Sequence, residues 1–302
     1  MTCAILTEEL SKRYRSVHAL SRLSLRVESG TVHALVGPNG AGKTTLIKIL
    51  MNIAEASSGQ ATVLGLNTRK LSGKAFSEIG YVSENQELPG WMRVGDFLAY
   101  LRPFYPSWDT SLEEGMVHDF DLPLRRKLKH LSRGMQMKAA LASSLAFHPK
   151  LIVLDEPFSG LDPLVRDELA KTLLQRASES TIFVSSHDLA EVEGVATHVT
   201  FLEKGTARLS EDLTSLRSRF REVEVTLAAP PAGPPDPLES WLQLTAVGAA
   251  IRFVESAYHP ETTAAEIQKR YSAVEAVKYS EMSLRAIFLA LAKAGKDNRG
   301  NA

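Results

Sequence analysis

Residues 37–45 read Gly37-Pro38-Asn39-Gly40-Ala41-Gly42-Lys43-Thr44-Thr45, and these residue types at this spacing point to phosphate chemistry. The glycines let the backbone curl until consecutive N–H groups, from about Gly40 to Thr45, face one anion. A helix starting there adds the positive end of its dipole. Lys43 is placed to bridge the β- and γ-phosphates of a nucleotide, Thr44 to offer its hydroxyl to Mg²⁺, and Thr45 to reach the α-phosphate. A second run, Leu151-Ile152-Val153-Leu154-Asp155-Glu156, is an apolar stretch ending in two carboxylates. Asp155 would hold Mg²⁺ through water, and Glu156 would polarise an attacking water. Together the two runs imply a site that binds and hydrolyses ATP, with ATP and Mg²⁺ as cofactors.

The elements around these residues must bring them to one sheet edge. Residues 23–36 predict two short strands with Ser29-Gly30 at the turn, the second (Val32–Val36) ending at the glycine-rich loop. Apolar residues at helical spacing from Thr44 to Ile53 predict a helix. Residues 60–64 and 79–83 read as further strands. The stretch 94–147 is mostly helical in pattern, broken by Pro103, Pro106 and Pro123. Leu151–Leu154 has the character of a strand buried in a parallel sheet; a helix from about Leu164 to Ala177 and a strand at Thr181–Ser185 follow. Strands alternating with helices indicate an α/β fold with a parallel sheet and a helical insertion. The proline-dense segment 228–237 reads as a stiff linker or turn. Strands at Glu222–Leu227, Trp241–Leu244 and Ala249–Val254, with helices near Thr262–Arg270 and Ser283–Ala294, make the tail a small α+β domain.

In their order along residues 4 to about 210, these features resemble an ATP-binding-cassette (ABC) ATPase, the nucleotide-binding subunit of a membrane transporter. Leu131-Ser132-Arg133-Gly134-Met135 stands where the family's signature, commonly LSGGQ, belongs, with Arg133 and Met135 departing from it. Ser159-Gly160-Leu161-Asp162 resembles the D-loop, and Ser186-His187 the switch histidine. Tyr14 stands where the family has an aromatic that stacks on adenine. The family's glutamine after the strand near residue 80 is replaced: by register Glu84 takes its place as a Mg²⁺ contact, with Gln86 the alternative. The resemblance implies a P-loop NTPase of ABC type over residues 1–219, with a helical subdomain at about 85–148, and an accessory domain at 220–302. It also implies a second ABC ATPase subunit, identical or not, whose Ser132-Gly134 segment closes over the ATP held by Gly37–Thr45. His187 would sense the γ-phosphate beside the catalytic Glu156 and Lys43. The insertion, with Leu88 and Trp91 either exposed in a loop or buried beneath it, would dock a transmembrane permease. The tail resembles, more weakly, the C-terminal extension of ABC-2-like exporter ATPases.

Composition is consistent with this and narrows the rivals. The 302 residues are 44% hydrophobic and carry 35 basic and 35 acidic side chains. No basic run suggests nucleic acid as a partner. The single cysteine, Cys3, excludes an internal disulfide and a cysteine metal cluster. No signal-peptide core and no apolar run of spanning length is visible. The expected location is therefore cytoplasmic, peripheral on the inner face of the membrane through the permease. A soluble ABC ATPase acting on the ribosome or nucleic acid is the alternative.

Overall fold

A charged, bulged strand opens the chain. In the computed structural model, which describes residues 3–231, 233 and 237–300, β1 (Cys3–Tyr14) pairs antiparallel with β2 (Val17–Glu28). β3 (Val32–Val36) then enters a different sheet and is buried at every position. The two strands expected over 23–36 are thus not a hairpin; the turn at Gly30, with φ at 78°, carries the chain between sheets. α1 (Lys43–Leu50) follows the glycine-rich loop, burying Leu46, Ile47, Ile49 and Leu50. It stops short of Ile53 because Asn52 turns left-handed, with φ at 54°, leaving Ile53 58% exposed. β4 (Ser58–Val63) and β5 (Leu66–Asn67) complete a four-stranded sheet in the order β2-β1-β4-β5.

After the short α2 (Gly73–Phe76), β6 (Ile79–Val82) joins the sheet of β3. The helical segment consists of α3 (Val94–Leu101), α4 (Thr110–Asp119) and α5 (Arg133–Leu145). β7 (Leu151–Asp155), α6 (Pro163–Arg176), β8 (Thr181–Ser186), α7 (Leu189–Val192), β9 (His198–Glu203) and β10 (Thr206–Asp212) follow. The sheet order is β10-β9-β3-β8-β7-β6, with β6/β7, β7/β8, β3/β8 and β3/β9 parallel. β3, β7 and β8 are fully buried, as strands covered on both faces must be. Parallel direction also puts their C-terminal ends on one edge, where ligands of such sheets bind. One core joins the two sheets through α1, with Leu20, Leu35, Leu46, Ile47, Val153 and Phe183 packed together. Each such side chain is worth about 1.5–3 kcal/mol when fully buried.

Contacts divide the chain into two compact units, Met1–Ser210 and Glu211–Ala302. The division falls earlier than the 219/220 boundary expected from sequence. The Arg219 guanidinium, at the end of α8 (Leu213–Arg219), bonds Glu211 at 2.7 and 3.1 Å and the Ser256 carbonyl at 2.7 Å, which fastens α8 to the second unit. That unit contains β11 (Arg221–Leu227), β12 (Trp241–Val247), β13 (Ala250–Glu255), α9 (Pro260–Arg270), β14 (Val274–Glu281) and α10 (Leu284–Gly300). Its strands form an antiparallel sheet in the order β12-β13-β11-β14. Trp241 stacks on Phe253 with ring centroids 4.1 Å apart, above Ile267 and Tyr271. Part of the expected linker, at 232 and 234–236, lies outside the described residues. Among the described residues no helix is long and apolar enough to cross a membrane.

Candidate functional site

The loop between β3 and α1 owes its shape to two glycines in particular. Gly42 has φ at 109°, and a Cβ there would stand 2.4 Å from the Ala19 carbonyl oxygen. A Cβ on Gly37 would stand 2.2 Å from the Leu202 carbonyl oxygen. At either position any other residue would force the loop out of this shape. The loop borders a cavity of about 550 Å³ whose wall includes Asn39, Gly40, Ala41, Gly42, Lys43, Thr44, Thr45, Glu84, Glu156, Ser159 and His187. The Lys43 ammonium donates to the carbonyls of Gly37 at 2.6 Å and Pro38 at 3.3 Å, and lies 3.2 Å from Glu156 Oε1.

The ends of β7 and β8 set the carboxylates. Ser185 Oγ donates to Asp155 Oδ1 at 2.6 Å and accepts from the Glu156 N–H at 3.0 Å. Thr44 Oγ1 donates to the same Asp155 oxygen at 3.3 Å. Glu156 adopts a left-handed backbone, φ 51°, which turns its side chain away from the strand direction. Its Oε2 accepts from His187 Nδ1 at 2.7 Å and from the His187 backbone N–H at 3.2 Å. The hydrogen bond His187 donates to Glu156 raises its pKa above the ordinary value, with burial and the Lys43 charge opposing it and the charges of Glu156 and Glu191 reinforcing it. Lys43, Glu156 and His187 therefore stand in sequence along one wall, with the Glu156 carboxylate between the other two.

Thr44 and Glu84 line the same cavity, with Asp155 bonded to Thr44 behind it. Hydroxyl and carboxylate oxygens are the donors Mg²⁺ takes, and it uses one or two carboxylates together with substrate phosphates. Consistent with that, no group of three or more His, Cys, Asp or Glu side chains gathers as a protein cage among the described residues. The side chains present fit the ion. Gln86 turns the other way: its Oε1 accepts from the Ser83 backbone N–H at 3.2 Å, and it is not among the described residues lining the cavity.

Other expected residues lie apart from the cavity. Ser132 caps α5, accepting from the Met135 N–H at 3.3 Å, and is exposed at the helix start. Gly134 packs on α6, where a Cβ would stand 3.2 Å from Val165 Cγ1. Arg133 lies over Gly160, its Nη1 3.3 Å from where a Cβ would be. Tyr14 is 44% exposed with the Lys12 ammonium 4.7 Å from its ring centre, and Val17 and Ala19 line the cavity instead. Trp91 is 73% exposed, whereas Leu88 is half-buried. Sequence reasoning missed Ser185: a serine closing an apolar strand gave no sign that it would join two carboxylate residues.

A family model described as ABC transporter matches residues 20–159. An uncharacterized ABC transporter ATP-binding protein of Nostoc sp. is 33% identical over 229 residues, covering 70% of this chain and 67% of the relative. The chain belongs to the ABC transporter ATP-binding family. Other relatives of this cassette include the bacitracin transport ATP-binding protein BcrA of Enterococcus faecalis, 29% identical over 74% of this chain and 73% of that one. A solved structure of an ATP-binding subunit of an ABC transporter superposes with a TM-score of 0.65 at 25% identity, covering 71% of this chain and 92% of that one. The chain spans 66% of the length of another ABC relative, from Synechocystis sp.. The α/β architecture is thus that of an ABC ATPase cassette, and the cavity at Gly37–Thr45 is the candidate functional site.

Proposed function

We propose that this chain hydrolyses ATP to power transport through a separate membrane permease, in the export direction. The observation that carries the catalytic part is the placement of Glu156. Its carboxylate sits on the cavity wall between the Lys43 ammonium at 3.2 Å and the His187 imidazole at 2.7 Å. Glu156 can accept a proton from water at that wall while the Gly40–Thr45 amides and Lys43 hold phosphate oxygens. His187, kept in register by two bonds to Glu156, is the next group along and can donate to a terminal phosphate. When bound, Mg²⁺ neutralises charge on the phosphates, and Thr44, Asp155 and Glu84 are the residues that would hold it.

Ser132 and Gly134 are exposed or half-exposed at the start of α5, away from their own cavity. A helix N-terminus with free amides suits a phosphate of a neighbouring subunit, so a second ABC ATPase chain would complete each site. Exposed Trp91, Tyr100 and Phe104 on the helical segment suit a membrane partner. Export is supported by the α+β second unit, of the kind the resemblance attaches to exporter-type ATPases, and by likeness to a bacitracin transport protein. In this reading the chain works on the cytoplasmic side of the membrane, held there by the permease.

Purifying the tagged chain from detergent-extracted membranes tests the assignment. A multi-helix membrane protein should co-purify, and its presence should raise MgATP turnover. Recovery with ribosomes or nucleic acid and no membrane protein would favour the soluble alternative instead.

A further inference from the structure

The turn carrying His187 is clamped from outside the nucleotide cavity. Ser186 Oγ has one proton, and its shortest contact is to Glu191 Oε2 at 2.6 Å. Ser186 Oγ in turn accepts from the Asp188 N–H at 3.0 Å. The two bonds bracket His187 between residues tied to a single hydroxyl. Glu191 is 8% exposed, and its other oxygen, Oε1, lies 3.4 Å from Arg166 Nη2 on α6. That nitrogen also donates to the Leu161 carbonyl at 3.4 Å. Arg166 Nε is buried without a hydrogen-bond partner. The guanidinium is therefore held by two long contacts and can follow the Leu161 carbonyl if the Ser159–Asp162 turn shifts.

We propose that Glu191 and Arg166 are positioning residues for hydrolysis, coupling the Ser159–Asp162 turn to the orientation of His187. The inference rests on Glu156 and His187 serving as described above. The path is contiguous: Leu161 carbonyl, Arg166, Glu191, Ser186, then His187 against Glu156. Ser159, at the other end of that turn, lines the nucleotide cavity, and its N–H donates to the Glu156 carbonyl at 3.2 Å. The turn thus touches the catalytic glutamate at one end and the histidine clamp at the other. The packing of Arg133 over Gly160 and of Gly134 against Val165 adds the start of α5 to the same path. A shift of that helix start on meeting a second subunit would be transmitted to His187 by these contacts. A carboxylate–guanidinium pair suits this role, because Arg166 is the counter-charge of a buried Glu191: removing it leaves that carboxylate with the Ser186 hydroxyl at 2.6 Å but no cation.

The test is steady-state kinetics of Glu191→Gln, Arg166→Met and the double variant, with the His187 imidazole titrated by NMR in each. Glu156→Gln is measured alongside. Each single change should lower kcat about 10- to 100-fold, as expected for a displaced catalytic group, with KM for MgATP within about twofold. The double variant should be no slower than the slower single one. In Glu191→Gln the His187 midpoint should also fall, since Glu191 is one of the charges facing it, with Glu156 and Lys43. If Arg166→Met keeps kcat within about twofold, or if the two losses simply multiply, the coupling is overturned. A fall in kcat matched by a rise in KM and an unmoved His187 midpoint would show a structural role only. Should Glu191→Gln not fold, Arg166→Met decides. If Glu156→Gln turns over like the parent, the catalytic assignment itself fails. If it is inactive while Arg166→Met is not, only the coupling fails.

Discussion

Replacing Ser185 by Ala removes one oxygen atom at the junction of β7 and β8, and two buried groups each lose a bond at once, Asp155 keeping the longer one from Thr44 at 3.3 Å. Asp155 loses the bond at 2.6 Å, and the Glu156 N–H loses its acceptor at 3.0 Å. Ser185 is 0% and Asp155 1% exposed, so water cannot take the hydroxyl's place. A hydrogen bond to a charged group contributes about 1.5–3 kcal/mol, and an orphaned buried N–H costs about 1–3 kcal/mol. The sum, about 2.5–6 kcal/mol, is a large fraction of the roughly 5–15 kcal/mol that holds a domain together. A second consequence is local. Glu156 sits at φ 51°, a conformation costing about 1–2 kcal/mol for an L-residue, and the Ser185 bond is one of the restraints on it. Ser185→Ala should therefore lower the melting temperature by roughly 5 °C or more. It should also lower kcat about 10-fold or more through a displaced Glu156. Differential scanning calorimetry and an ATPase assay with MgATP read both. A melting temperature within about 2 °C of the parent, with unchanged kcat, would refute the claim that this hydroxyl organises the site.

Gly42→Ala should fold but lose nucleotide binding by about 100-fold or more, because its Cβ would meet the Ala19 carbonyl at 2.4 Å and the loop must open; isothermal titration with an ATP analogue measures it. The His187 imidazole, followed by NMR, should titrate above its ordinary value of 6.5 and return toward it in Glu156→Gln. Since the folded pKa is the raised one, the stabilisation from protonated His187 on Glu156 is complete below about 6.5. It is lost as pH rises through the folded midpoint. Glu84→Ala should weaken the Mg²⁺ dependence of turnover, while Gln86→Ala, which removes only a turn contact to Ser83, should leave it within about twofold; Mg²⁺ titrations of ATPase activity separate the two.

Where residue type and backbone shape coincide, the sequence was readable. Gly37–Thr45 is a tight strand-to-helix loop because glycine alone fits at 37 and 42, and Leu151–Leu154 lies in a central strand because no polar residue interrupts it. Ser186-His187 at the end of an apolar strand was legible for the same reason. β1 was not. Its run Thr7-Glu8-Glu9-Leu10 breaks the two-residue alternation, and the register shifts there confirm a bulge, with Glu9 at φ 47°. β14 was hidden by charges along an edge strand, Val-Glu-Ala-Val-Lys-Tyr-Ser-Glu, where one side of the ladder needs no apolar partner. The unit boundary depended on Arg219 reaching Glu211 and Ser256, a contact no local pattern announces. The roles of Ser185, Glu191 and Arg166 were likewise invisible, since each acts through residues distant in the chain.

In the proposed function Glu156 is the group that activates water in a site closed by a second subunit. Light scattering of Glu156→Gln in MgATP, with the bound nucleotide identified, tests this most directly. The expected result is a doubling of mass on adding ATP, with intact ATP retained and no turnover. A chain that stays monomeric while releasing ADP at the parent rate would contradict it.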